Sequence, residues 1–332
     1  MNRPRASVII PTYNSGQFVG HAIESVLSQS VDDVELIVVD DGSVDGTAAR
    51  VSGYQPKVRY VVRPHRGPGA ARNYGAGLAR GEWLAFLDAD DFWYPHKLAD
   101  QLGLADRHPT LDFITGNHHT VDETGRLMGE AFADNEMIKS QLGGVAPQDT
   151  VFAREAAGQY VEHRFGILST TMVRAGLFGR VGGFSERYGL AEDIHLMFRL
   201  AAKGRSFGAV RRPVAAYRRR AASTSHRDDE RRHCVTIDAL TDLLRYHALP
   251  APVARAVRDL VAETQLDLGL LLARGGRRMS ATAAAGRAFL TKPSWRALRT
   301  AVSVGVATES RSGGTDFDWG DPVELFRFGA VV

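Results

Sequence analysis

The chain has 332 residues, 44% of them hydrophobic and 24% charged, with a formal net charge of +3. That size supports one large core or two smaller ones, and the weak positive charge, without a basic stripe interleaved with aromatics, excludes a nucleic-acid reader. A single cysteine, Cys234, excludes an internal disulfide framework; with no signal-peptide core after Met1 and no apolar stretch long enough to cross a bilayer, the expected setting is cytoplasmic, including the inner face of the membrane.

Ala6 to Ile10 reads as a buried strand stopped by Pro11. Phe18, Ala22, Ile23, Val26 and Leu27 recur at helical spacing and predict an amphipathic helix to about Gln29. Val34 to Val39 is a second buried strand running into Asp40-Asp41-Gly42-Ser43, and Val58 to Val62 is a third. Gly69 to Ala79 has a small-residue helical pattern, and Trp83 to Leu87 is a fourth strand that ends in Asp88-Ala89-Asp90-Asp91. Aliphatic strands alternating with helices predict an α/β chain with a mixed, mostly parallel sheet covered on both faces. Ligands of such sheets bind beyond the carboxyl ends of the strands, and both acidic clusters fall there.

Further on, Leu111 to Thr120 and Leu168 to Val173 read as strands, with long loops around a site expected from Gly129 to Arg164. Glu192 to Lys203 reads as a helix closed by Gly204. Arginines accumulate up to Arg218-Arg219-Arg220, and Ser223-Thr224-Ser225-His226 follows. The expected division is 1–226 as a catalytic domain, 227–305 as a helical extension, and 306–332 as a docking or disordered tail.

Three carboxylates within four positions cost several kcal/mol to bury unless a cation shares them. Asp88-Ala89-Asp90 also offers hard oxygen ligands to a divalent ion, which in turn grips phosphates. Asp91 reads as a cap for the helix after Pro95, Trp93 as core rather than a sugar platform, and Asp40 either as a turn residue holding the Gly42 loop or as a functional carboxylate.

Four local motifs stand in order: Pro11-Thr12-Tyr13-Asn14, Val39-Asp40-Asp41-Gly42-Ser43, Gly67-Pro68-Gly69-Ala70-Ala71-Arg72-Asn73 and Leu87-Asp88-Ala89-Asp90-Asp91, followed by Gly182-Gly183-Phe184 and Glu192-Asp193. Together they resemble glycosyltransferase family 2, the inverting nucleotide-sugar transferases of GT-A fold, over roughly Ser7 to Ser225. The resemblance implies a nucleotide diphosphate-sugar donor, a UDP-sugar in first place, and Mn2+ or Mg2+ as cofactor. It implies Asp90 as principal metal ligand, Asp88 as its partner near the ribose or a metal-bound water, Asp41 on the nucleotide base and Tyr13 packed against it. Pro11 joins this donor-side set, although by itself it reads only as a strand terminator. Arg72 matches a donor-binding arginine, with a surface salt bridge as the competing reading. Asp193 matches the general base, and Glu192 orients or binds the acceptor, or simply answers the helix dipole. The Arg218–Arg220 run neutralises diphosphate or an anionic acceptor, or forms a solvated face; His226 reads as a solvated loop residue.

No Gln-x-x-Arg-Trp pattern of processive synthases is present, so a single-addition enzyme of bacterial glycan or glycoconjugate synthesis is favoured, acting on a glycan, a lipid-linked or a small-molecule acceptor. A sugar nucleotidyltransferase is the first alternative, and its Gly-rich loop after the first strand is missing. A non-catalytic nucleotide-sugar-binding module is the second, and the presence of Asp193 argues against it. The helical extension has three possible uses: packing on the catalytic domain, homodimer formation, or peripheral membrane association. The last ranks lowest, because Asp238, Asp242, Asp259, Glu263 and Asp267 interrupt its basic surface.

Overall fold

The computed structural model describes residues 3–133, 149–164, 166–220 and 229–306. The tail from 307 onward, the 134–148 part of the expected specificity loops, and Ser223 to His226 lie outside these residues.

The first strands are β1 (Ala6–Thr12), β2 (Val34–Asp40), β3 (Arg59–Val62) and β4 (Trp83–Phe86). They pair in parallel in the order β3-β2-β1-β4. Both faces of this half-sheet are buried. Val8 and Ile10 join Leu36, Val38 and Ala85 in one core, while Ile9 turns to the other with Ile37, Val39 and Phe86. That alternation explains the unbroken aliphatic runs. Helices α1 (Val19–Leu27) and α4 (Lys97–Arg107) supply Ile23, Val26, Leu98 and Leu102 to the first core. Between these helices in sequence lie α2 (Thr47–Ser52) and α3 (Pro68–Leu78). Gly75 of α3 lies so close to β1 that a Cβ there would meet Ile9 Cγ2 at 2.6 Å.

β1 runs through Pro11 instead of stopping at it. Leu87 N–H donates to the Ile9 carbonyl at 3.1 Å and Asp41 N–H to the Thr12 carbonyl at 2.9 Å, so alternate residues face β4 and β2. Pro11 falls on the β4 side, where the ladder has already ended at Ile9. No donor is needed there, and proline is tolerated.

The second half of the sheet is mixed. It contains β5 (Phe92–Trp93), β6 (Phe113–Val121), β7 (Leu127–Glu130), β8 (Asp149–Ala153), β9 (Met172–Arg174) and β10 (Ser206–Arg218). The order continues β4-β9-β6-β10-β5, with β7 on β6 and β8 on β10. β9 is antiparallel to both β4 and β6, so β6 and β10 regain the direction of β4 and bring their carboxyl ends to the same edge.

Two expectations change here. Leu168–Thr170 is a 3-10 turn, and the strand begins only at Met172. The Thr170 and Thr171 hydroxyls both donate to the Ile167 carbonyl, at 2.8 and 2.9 Å, and compete with a ladder. In the part of the Gly129 to Arg164 stretch that is described from 149 on, β8 and a helix Ala157–His163 stand where a loop was expected.

Contacts divide the chain into two compact units, Met1–Thr264 and Gln265–Val332. In the first, Leu240 and Leu243 of the helix Asp229–Tyr246, with Val257 and Leu260, join the core that contains Ile9 and Phe86. This unit therefore continues past position 226. In the second, Leu266, Ala285, Ala288 and Ala297 form a small core between helices. A Cβ on Gly269 would stand 3.2 Å from the Ala281 carbonyl, so glycine permits close helix approach there. Among the described residues, no helix is long and apolar enough to cross a membrane.

Candidate active site

The turn after β2 is built by its two aspartates in different ways. Asp40 accepts from Ser43 N–H at 2.7 Å and from the Tyr60 hydroxyl at 2.6 Å, which makes it the turn residue its position predicted. Asp41 is buried and accepts from Arg66 N–H at 3.0 Å and Gly67 N–H at 2.6 Å. The His65 imidazole lies 2.9 Å and Arg63 Nε 3.5 Å from the same carboxylate. Asp41 thus closes the Arg63–Gly67 loop, and Gly67 takes the positive φ of 93° that this closure requires. Tyr13, 46% exposed, stacks on His65 with ring centroids 4.2 Å apart. Asn14 joins the first two motifs: its carboxamide oxygen accepts from Val44 N–H at 2.9 Å, and its own N–H donates to Ser43 Oγ at 2.9 Å.

The third motif opens α3. Asn73 grips the Gly182-Gly183-Phe184 turn by both ends, donating to the Phe184 carbonyl at 2.9 Å and accepting from Phe184 N–H at 2.8 Å. One turn-face away, Arg72 is buried and donates to Glu192 Oε1 at 2.8 Å and to Asp88 Oδ1 at 2.6 Å. Burial opposes its charge, but the Asp88 and Glu192 carboxylates outweigh that and raise its pKa further. This burial rules out the surface salt bridge as its role. Glu192, itself buried, stands at the start of the helix Glu192–Lys203 and is locked to Arg72.

Asp88 and Asp90 lie just beyond β4, both partly exposed. Asp90 pairs with the Arg220 guanidinium at 2.6 Å. Burial and then the Asp88 charge raise the Asp90 pKa, with Arg220 opposing. Arg220 also lies 4.8 Å from the Phe18 ring centroid, and Arg218 donates to the Asp90 carbonyl at 3.0 Å. The arginine run is therefore divided: Arg218 is buried, Arg219 exposed, and Arg220 directed at the acidic cluster.

Asp91 is not a helix cap. It is 1% exposed, and it accepts from Ser169 Oγ at 2.7 Å and from Arg218 N–H at 2.9 Å. α4 starts only at Lys97 and has no side-chain cap. Burial, reinforced by Asp90 and Asp88, raises the Asp91 pKa well above the usual carboxylate range. Trp93 is core, with its indole N–H donating to the Ser169 carbonyl at 2.6 Å. Ser169 is thus a hub that the sequence reading missed; its only signal was a run of three hydroxyl residues, Ser169-Thr170-Thr171, beside an aliphatic stretch. His65 was missed as well.

Asp193 is partly exposed, next to Glu192 on the same helix start. Burial, and then the Glu192 charge, push its pKa up to about 6. Two residues on, His195 Nε2 lies 3.0 Å from Asp242 Oδ2 and pins this helix to the helix Asp229–Tyr246.

Asp88 and Asp90 could hold a cation. They present carboxylate oxygens, the donors that Mg2+ and Mn2+ prefer, and a divalent ion would offset both the burial and the Asp88 charge that raise the Asp90 pKa. The residues present therefore fit such an ion.

A sequence profile described as glycosyl transferase family 2 matches residues 7–157, which hold the first four motifs. Residues 7–157 are thus similar to the glycosyl transferases of family 2. The succinoglycan biosynthesis protein ExoO of Rhizobium meliloti is 35% identical over 207 residues, 61% of this chain and 57% of that protein. A glycosyltransferase of Nostoc sp. is 39% identical over 152 residues, 42% of this chain and 46% of that protein. The chain thus spans about half the length of these family 2 relatives. Among solved structures, Staphylococcus aureus TarS 1–349 in complex with UDP-GlcNAc superposes with a TM-score of 0.65 at 18% identity, covering 93% of this chain and 91% of that one. Mannosyltransferase PcManGT from Pyrobaculum calidifontis, in complex with GDP-Man and Mn2+, gives 0.58 at 21% identity, covering 94% and 82%. The fold is the GT-A architecture.

Proposed function

We propose that this chain is an inverting, metal-dependent glycosyltransferase that moves a sugar from a nucleotide diphosphate-sugar, with a UDP-sugar favoured, to an acceptor hydroxyl. The observation that carries this reading is the double ion pair of Arg72, which joins Asp88 of the Asp-Ala-Asp motif to Glu192, the neighbour of Asp193. One guanidinium thereby links the donor side of the site to its base.

In this reading the exposed face of Tyr13, backed by His65, receives the nucleotide base, and Asp41 shapes the loop beside it. Pro11 contributes only by carrying β1 to that position. Asp88 and Asp90 would hold Mn2+ or Mg2+, which when bound neutralises charge on the departing diphosphate. Arg220, already directed at the same carboxylates, adds cationic charge from the chain itself. Asp193 takes the proton of the acceptor hydroxyl as its oxygen attacks the anomeric carbon. The bond from that carbon to the phosphate oxygen breaks, its electron pair leaves with the nucleoside diphosphate, and the anomeric configuration inverts. A carboxylate with a pKa near 6 is ionised at neutral pH yet more basic than an ordinary aspartate, as a general base requires. The sugar-nucleotide complexes of the two structural neighbours support this donor class, and the name of the Rhizobium relative supports polysaccharide synthesis as the setting. The acceptor is a glycan, a lipid-linked sugar or a small molecule.

The test is turnover of UDP-, GDP- and dTDP-sugars with Mn2+, with product configuration read by NMR. Inversion with nucleoside diphosphate release is expected. Retention would overturn the single displacement, release of inorganic diphosphate from a triphosphate would indicate a nucleotidyltransferase, and donor binding without turnover would indicate a binding module.

A further inference from the structure

Within the second compact unit, the helix Arg278–Thr291 buries mainly small side chains and leaves two large apolar ones exposed, with Phe289 partly buried against the small core. Its buried positions are Ala281, Ala284, Ala285 and Ala288, whereas Met279 is 86% and Leu290 81% exposed. A surface helix ordinarily turns its largest apolar side chains inward and leaves small or polar ones outside. Met279, Ala283, Arg287 and Leu290, all exposed, follow at spacings that keep them within roughly 80° of one another at about 100° per residue, so they form one stripe. The following helix, Trp295–Val306, repeats the pattern: Ala297 and Thr300 are buried while Trp295 is 76% exposed. Arg287, Lys292, Arg296 and Arg299 are exposed around these apolar groups.

The charge of this stretch is one-sided. From Leu268 to Thr308 there are seven arginines and lysines and no aspartate or glutamate. The acids that ranked membrane association lowest, from Asp238 to Asp267, all precede it. Averaging over the whole helical region conceals a basic segment at its end.

We propose that this face docks on an anionic lipid surface, with Trp295, Leu290 and Met279 entering the interfacial zone and the surrounding arginines facing lipid phosphates and carboxylates. Tryptophan belongs at that boundary, and exposed apolar groups set among basic ones are how a peripheral protein gains both burial and charge pairing there. Charge complementarity selects this partner over a second copy of the chain. A two-fold interface through this face would set its positive charges against the same charges of the partner. A polyanion such as nucleic acid would satisfy the arginines but offer no apolar phase to Leu290 and Met279.

The experiment is sedimentation of the full chain with phosphatidylcholine vesicles, with and without phosphatidylserine, at low and high salt. Binding is expected to the anionic vesicles, weakened by salt, with a blue shift of tryptophan emission that Trp295→Phe abolishes. Leu290→Ser combined with Trp295→Ser should weaken binding by at least roughly tenfold. Both positions are exposed, so an unchanged thermal melt would show that the variant is folded. Failure of the full chain to sediment with anionic vesicles, or equal binding by the folded double variant, would overturn the proposal. A lipid-free dimer dissolved by the double variant would assign the face to a second copy instead.

Discussion

Arg72 donates to Glu192 Oε1 at 2.8 Å across 120 positions of sequence, and the same guanidinium holds Asp88 at 2.6 Å. A planar fork can serve two carboxylates at once, whereas an ammonium on a flexible stem cannot hold the same geometry. Glu192→Gln leaves a buried guanidinium with one charged partner, and it should lower stability by about 2–3 kcal/mol. Arg72→Lys should cost a similar amount. Urea denaturation measures both, and midpoints equal to wild type would show that the bridge does not form in solution.

Asp193 should set the acidic limb of the rate profile. The base works deprotonated, and burial followed by the Glu192 charge raises its pKa to about 6, so turnover should fall as pH drops below that value. Asp193→Asn should remove the limb and cost roughly 10²–10⁴ in turnover. Because burial penalises the ionised form, this variant should be at least as stable as wild type at neutral pH. Glu192→Gln, which removes the neighbouring charge, should move the limb to lower pH. A limb that stays put in Asp193→Asn would belong to another group.

In the proposed reading Arg220 and a divalent ion would compete for Asp90, since the guanidinium sits 2.6 Å from its carboxylate. Arg220→Ala should therefore tighten Mn2+ binding in the absence of nucleotide, followed by electron paramagnetic resonance of the free ion. Asp90→Ala should abolish the Mn2+ dependence of nucleoside diphosphate binding in calorimetry. Nucleotide affinity in wild type that is the same with and without Mn2+ would contradict the role given to Asp90.

Asp91 is structural. Asp91→Ala strands the Ser169 hydroxyl and the Arg218 amide, two buried donors, and should cost about 2–4 kcal/mol. An exposed helix cap would cost about 1 kcal/mol. A thermal melt separates the two cases.

Lys97 is fully buried, and its Nζ, which has no hydrogen-bond partner among the described residues, lies 3.8 Å from the centre of the Trp93 ring. Burial drives its pKa well below the usual lysine value, so the group disfavours the native state at neutral pH. The ring offsets about 2 kcal/mol of a burial penalty that amounts to several. Lys97→Met should raise stability by about 1–2 kcal/mol at neutral pH, and a loss of stability would show that the ammonium is held by more than Trp93.

The parts of the site legible in sequence were those written locally. Asp88 and Asp90 follow an aliphatic strand, and the helix carrying Glu192 and Asp193 begins where its acids and periodicity place it. Asp91 was not legible, because an aspartate before a helix looks the same whether it faces solvent or a serine 78 positions away. Ser169 was hidden for the same reason, within a stretch whose aliphatics resemble a strand. Arg72 showed its charge but not its burial, which depends on Glu192 arriving from a distant element. The helical region shows a different limit: its acids and bases were averaged over a length that the fold divides between two units.

The Asp41 carboxylate holds the amides of Arg66 and Gly67, so the loop from Arg63 to Gly67 is tied by bonds within the chain. Fixing a residue's backbone costs about 1–2 kcal/mol. For this loop bonds within the chain offset that cost, and in the proposed reading nucleotide association need not meet it. The nucleotide would then encounter a rigid wall rather than a closing flap, which favours fast release of the product diphosphate. Selectivity for one base over another would lie in the fixed outline of that wall, and changing it would require replacing the loop together with the aspartate that ties it.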